Sequence, residues 1–226
     1  MRDEANMKSK LFYDGDYSRI ECEIRKLLNS QPEFMSARTA SSPRATGDAI
    51  QDILADKFQA LLGKVCKEYS ADFARRAMAD LAFKDTDDIY YIVDVKTHRK
   101  EVGFHMPNLT SVERLARFYE DDMNCFAVLS VSYRIDGTKV TVEDVHFVPI
   151  EFLSWKCLTI GALGWGQIQI ANSDKIEVMP RYSRKKWMLE LCDTLFEFYP
   201  HEISKINKRI EYFQKVKERW EKKEES

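Results

Sequence analysis

Apolar residues recur at helical spacing through residues 17–30, YSRIECEIRKLLNS, where Ile20, Ile24, Leu27 and Leu28 share one face. The next stretch, QPEFMSARTASSPRATGD over 31–48, loses that rhythm. With Pro32, Pro43 and a run of Ser, Thr, Ala and Arg, it is expected to be a loop that orders on binding. Helical spacing returns over 49–76, carried by Ile50, Ile53, Leu54, Phe58, Leu61, Leu62 and Val65. At residue 77 the pattern changes. MADLAF and IYYIVDVKT read as two strands joined by the turn-forming DTDD at 85–88. The nearly unbroken β-branched and aromatic run from Ile89 to Val95 predicts a central strand buried on both faces. A helix follows over 109–120, then a hairpin of CFAVLSVSYRIDG and KVTVEDVHFVPI turned at Asp136-Gly137. GQIQIA at 166–171 is a short strand. From Ser183 the chain is helical to its charged end, with a break at Pro200.

Helices, a mixed sheet and helices again predict an α/β fold with a central mixed β-sheet flanked by helices. The 226 residues suit one domain, 1–226, with a helical N-terminal part (1–76), a sheet (77–171) and C-terminal helices (172–226). Hydrophobic residues make up 44% and charged residues 32%, as in ordinary globular proteins. No apolar run reaches the roughly 18 residues of a membrane span, and MRDEANMKSK lacks a signal peptide's apolar stretch. A cytoplasmic protein with no membrane association is expected. Five cysteines without a CxxC pair argue against a disulfide framework or a structural zinc site and for buried thiols. The net charge of −2 gives no support to nucleic-acid binding. Local basic stretches remain at Lys96–Lys100, Arg181–Lys186 and Lys205–Arg209.

Chemistry concentrates at the end of the central strand. Asp94-Val95-Lys96 places a carboxylate and an ammonium at i and i+2, on one face of a strand. Asp80 lies fourteen residues upstream, and a hairpin about 85–88 brings it to the same end of the sheet. Two carboxylates hold a hard cation such as Mg²⁺. A cation polarises a phosphate and activates water, and a lysine offsets the charge that develops in attack. The D/E-x-K pattern alone is weak. Roughly one match is expected by chance in such a chain, and Glu221-Lys222-Lys223 also matches, in a solvated tail. Asp94 and Lys96 differ in ending an apolar strand, where charge is costly without a use. A structural ion pair is the plain alternative. Asp85, Asp87 and Asp88 are alternatives to Asp80.

These segments resemble the type II restriction endonucleases of the PD-(D/E)xK superfamily, in the branch of HincII and EcoRV. ADLAFKDTDDIYYIVDVKT (79–97) is similar to the two catalytic strands, with one extra residue in the turn. DVKTHRKEVGFHMPNLTS (94–111) is similar to the active-site strand and its loop, including the Pro107-Asn108 pair. LTIGALGWGQIQIA (158–171) resembles a third segment ending in Gln-Ile-Gln. The resemblance implies a restriction-endonuclease-like core and a homodimer that cuts both strands of palindromic double-stranded DNA to blunt ends with Mg²⁺. It implies metal ligation by Asp80, Asp94 and the Val95 carbonyl, with Lys96 as catalytic lysine. Asp48, Asp52 or Asp56 could add the helix carboxylate that some members of the family carry. The helix at 17–30 and the flank of 49–76 are the expected dimer contacts.

The same resemblance points to DNA contacts. Asn108 matches a base-contacting position, though it also suits a helix N-cap. Phe104 and His105 match a side chain inserted toward the bases. Gln167 and Gln169 alternate with Ile168 and Ile170 and so share one sheet face. Gly161 stands where the relative carries an asparagine, which puts base reading there in doubt. Arg38 and Arg44 in the 31–48 loop, and Thr97 after the lysine, could meet phosphates. Trp165 reads as core. His98, His146 and His201 have no ligand spacing. Two other readings fit the same residues: a non-specific or repair nuclease, and a DNA-binding protein with a decayed catalytic core.

Overall fold

The computed structural model describes residues 8–31, 42–69, 79–102 and 106–224. The chain divides into two compact units, residues 1–183 and 184–226. In the first, a short helix α1 (Lys10–Tyr13) precedes α2 (Tyr17–Asn29) and α3 (Pro43–Leu62). Then come the strands β1 (Cys66–Tyr69), β2 (Leu81–Asp85), β3 (Tyr90–Arg99) and β4 (Asn108–Ser111). After α4 (Val112–Phe118) follow β5 (Asn124–Asp136), β6 (Lys139–Pro149), β7 (Leu158–Gly161) and β8 (Gln167–Ile170). The second unit is the helix α5 (Arg184–Glu221).

Five strands form a mixed sheet in the order β1-β2-β3-β5-β6, and β4-β8-β7 form a smaller antiparallel sheet. The fold is α/β, a mixed sheet flanked by helices, as the sequence pattern predicts. β3 is its centre. It runs antiparallel to β2 (Leu81↔Val93) and parallel to β5 (Asp94↔Val128, Lys96↔Ser130). Tyr91, Val93 and Val95 on one face and Ile92 on the other are all buried.

α2 spends its apolar stripe inside this unit, with Ile20, Ile24 and Leu28 wholly buried. Its polar side chains also hold β6, the last strand of the sheet. Asn29 bonds both the N–H (2.8 Å) and the C=O (3.1 Å) of Val142, and Glu21 accepts from the Phe147 N–H at 2.7 Å. Each of these bonds satisfies a backbone group of the last strand that would otherwise be open to another strand. Behind it, Phe12 and Phe58 meet Phe147 at 5.1 and 5.6 Å between ring centres, and Phe83 stacks on Tyr91 at 4.4 Å.

Several local expectations are corrected. Residues 43–48 are helical, because Ser42 caps α3 by accepting from the Ala45 N–H and Pro43 sits in the first turn. Both residues are helix-start signals as well as loop formers, and Arg44 therefore lies on a helix. α3 ends at Leu62 before Gly63, whose φ of +59° suits glycine, and β1 occupies 66–69 where helix was expected. The helix over 109–120 shortens to 112–118, because 108–111 pair with β8. α5 runs unbroken through Pro200. Of the cysteines, Cys125 and Cys157 are buried, while Cys22 and Cys192 are exposed. Trp165 is 72% exposed, not core. No helix among the described residues is long and apolar enough to cross a membrane.

Candidate active site

β2 stops at Leu81 while β3 continues to Arg99, so β3 outruns its antiparallel neighbour. Asp80, one residue outside β2, makes the last backbone rung by donating its N–H to the Val93 carbonyl at 3.1 Å. Its carboxylate supplies the next rung, with Oδ2 accepting from the Val95 N–H at 2.6 Å. The Val95 carbonyl accepts from the Gln51 amide of α3 at 3.2 Å. A carbonyl oxygen has two lone pairs, so one remains available.

Asp94 and Lys96 share one face of β3 at this strand end. Lys96 Nζ donates to Asp94 Oδ1 at 2.7 Å. The Asp94 side chain is only 9% exposed, and its Oδ2 is buried and accepts no hydrogen bond from the described residues. Burial pushes the Asp94 carboxyl up to about 7; Lys96 opposes the shift and the nearby charge of Asp80 adds to it. Asp80 and the Asp94–Lys96 pair therefore lie at the same end of the sheet, near enough for the charge of Asp80 to act on the Asp94 carboxyl, whose second oxygen is buried and bonded to no described residue. The ion pair foreseen as the plain alternative is present. It accounts for one Asp94 oxygen and leaves the other unexplained. A buried, unbonded carboxylate oxygen costs several kcal/mol in order of magnitude; a proton or a hard cation would each relieve it.

The competing aspartates are elsewhere. Asp85 is 2% exposed and closes the far end of the hairpin. Its Oδ1 accepts from the N–H groups of Asp87 and Ile89, and its Oδ2 from the Tyr91 hydroxyl at 2.7 Å. Asp87 pairs with Lys10, and Asp88 with Lys67. Five residues of strand separate this turn from Asp80, about 17 Å. Asp48, Asp52 and Asp56 are exposed. Among the described residues no group of three or more His, Cys, Asp and Glu gathers as a metal cage. What α3 brings to the strand is Gln51, which sequence reasoning missed. A neutral amide beside an apolar stripe carries no spacing signal, and its position one turn after Gly47 becomes meaningful only once the helix lies on β3.

Thr97 lies on the face opposite Asp94 and Lys96, under α3. A Cβ added at Gly47 would stand 2.6 Å from Thr97 Oγ1. His98, on the Asp94 face, is 5% exposed with Nε2 2.9 Å from Asp174 Oδ1. Asn108 is not the cap of α4; Ser111 is, accepting from the Arg114 N–H. Asn108 instead accepts a 2.5 Å bond from Gln169 Nε2 across the β4–β8 pair. Gly161 leaves the space that this glutamine fills, since a Cβ there would fall 2.5 Å from Gln169 Oε1. Gln167 and Gln169 are half-exposed while Ile168 and Ile170 are buried, so the small sheet turns a carboxamide face outward. Arg44 is exposed on α3. Arg38, Phe104 and His105 lie outside the described residues.

No protein-family model matches the chain, and no curated protein matches it.

Proposed function

We propose that the chain is a Mg²⁺-dependent endonuclease of the PD-(D/E)xK type, a type II restriction enzyme acting on palindromic double-stranded DNA and leaving blunt ends. The observation that carries the reading is the orphaned Asp94 Oδ2, buried beside Asp80 and Lys96. Asp80, Asp94 and the free lone pair of the Val95 carbonyl would hold the ion, an all-oxygen set of the kind hard cations take. When bound, Mg²⁺ supplies polarisation of a phosphate oxygen and acidification of water.

The chain's own residues do the remainder. Lys96 places its ammonium at the site mouth, where it offsets the negative charge that grows on phosphorus as water attacks. Asp94 Oδ1 fixes that ammonium at 2.7 Å, so its position is set before substrate arrives. Gln51 holds the Val95 carbonyl and Asp80 the Val95 N–H, which fixes the backbone at this residue. The water oxygen bonds to phosphorus, the bond from phosphorus to the leaving sugar oxygen breaks, and that oxygen takes up a proton. Asn108, Gln167 and Gln169 present amide donors and acceptors on an exposed sheet face, the chemistry that reads adenine edges. A protein of this function works in the cytoplasm, where its DNA is.

The test is a plasmid digest in Mg²⁺ followed by sequencing of the ends. Discrete fragments with flush ends are expected. A broad ladder would replace this reading with a non-specific nuclease, and DNA binding without cutting would indicate a decayed core.

A further inference from the structure

The helix of the second unit buries Trp187 and Leu191 and leaves most of its other apolar residues exposed. Along α5, Leu189, Phe196, Ile203 and Ile210 recur every seven residues. Cys192, Tyr199, Ile206, Phe213 and Trp220 repeat the same step three positions later. These are the a and d positions of a coiled coil, and Lys217 is the charged exception at a. A strict seven-residue period stays on one stripe only when the helix winds about a partner. The stripe is open: Phe196 is 72% exposed, Ile203 57% and Phe213 63%. A shallow groove lined by Ile206, Arg209, Ile210, Phe213, Gln214 and Lys217 follows it. Most helical stability in proteins comes from packing an amphipathic face, and this face is open.

We propose that α5 pairs with α5 of a second copy of this chain as an antiparallel coiled coil, about 57 Å long at 1.5 Å per residue. The flanking residues select both occupant and direction. The g positions include Leu195, Glu202, Arg209 and Val216. With Ile203 laid opposite Ile206 of an antiparallel copy, Phe196 meets Phe213, Ile210 meets Tyr199 and Leu189 meets Trp220. The g positions then face each other as Glu202 with Arg209 and Leu195 with Val216, each twice by the two-fold axis. Opposite charges meet, and apolar meets apolar. Parallel pairing instead sets g against e, giving Glu202–Asn207, Arg209–Gln214 and Val216–Glu221, with no opposite-charge pair. Within its own helix Glu202 pairs with Lys205 at 2.6 Å, so the partner's Arg209 joins an existing contact. The expected dimer contacts on α2 and α3 are less suited, because Ile20, Ile24, Leu28, Ile50, Leu54 and Phe58 are wholly buried in their own unit.

This inference stands apart from the nuclease reading. Sedimentation equilibrium of the full chain tests it. A dimer is expected whose dissociation constant rises at least 100-fold in Ile206→Lys/Ile210→Lys. Arg209→Glu alone is expected to leave the circular dichroism unchanged and to weaken the dimer at least tenfold. Adding Glu202→Arg is expected to restore it. A monomeric wild type, or a dimer indifferent to the lysine pair, overturns the proposal. Failure of Glu202→Arg to restore Arg209→Glu overturns the antiparallel arrangement. A monomer that still cuts plasmid DNA removes the coiled coil and spares the nuclease; a dimer that cuts nothing does the reverse.

Discussion

At Asp94 one side chain meets two opposed demands. Oδ1 is paired with Lys96, while Oδ2 is buried and bonded to no described residue. The carboxyl titrates near 7 in the fold against an ordinary 3.8, so the folded chain binds this proton more tightly than the unfolded chain does. Ionisation of Asp94 therefore costs nothing below about pH 4, costs progressively more between about 4 and 7, and costs its full amount above that. Asp94→Asn removes the cost. In metal-free urea unfolding the variant's advantage in midpoint should be small at pH 4, grow as the pH rises towards 7, and be complete at pH 8. Mg²⁺ should raise the wild-type midpoint and leave the variant's unchanged, because only a ligand bound by the folded state stabilises it. An equal pH response in both proteins would remove the strained carboxylate from the account. For Lys96, removal of a single charge-stabilising donor suggests a loss of about 10² to 10³ in turnover. Lys96→Ala should show that loss in single-turnover cleavage while retaining DNA affinity within a few-fold.

The elements position these side chains through small departures from regularity. The β2–β3 hairpin closes on Asp85, whose carboxylate serves two backbone N–H groups and the Tyr91 hydroxyl. Asp85→Ala strands buried donors and should lower the unfolding free energy by about 3 kcal/mol. α3 comes close to β3 at Gly47. Alanine there gains up to about 1 kcal/mol of helix propensity, yet its methyl would strike Thr97. Gly47→Ala should be destabilising, and Thr97→Ala should recover part of the loss in a double-mutant cycle of urea midpoints.

The sheet was legible because its strands are long and apolar: the Ile89–Val95 run is nearly all buried, and the Asp136-Gly137 hairpin falls where its turn residues put it. The small sheet was less legible. Asn108–Ser111 is a four-residue strand held by pairing with β8, and local propensity cannot see that pairing. The start of α3 was hidden because Ser42 and Pro43 serve loops and helix starts alike. At the site, Asp94 and Lys96 were legible from the two-residue period of a strand. The position of Asp80 at that end of the sheet was legible from the hairpin, although it lies just outside the strand that was expected to hold it. Gln51 was not, since its role exists only across two packed elements.

On the scale of the whole molecule, a site that cuts one strand needs a second copy to cut both, and two-fold symmetry matches a palindrome. Ca²⁺ accepts oxygen ligands but has flexible geometry. Ca²⁺ in place of Mg²⁺ should therefore permit DNA binding, read by gel shift, with cleavage reduced beyond detection; efficient cutting in Ca²⁺ would argue against the proposed centre. The most direct measurement is anomalous diffraction from crystals grown with Mn²⁺ standing in for Mg²⁺. A peak within bonding distance of Asp94 Oδ2 and an Asp80 carboxylate oxygen is the expected result. An empty map there, with the Asp94 oxygen bonded to a protein group or water instead, would contradict the account.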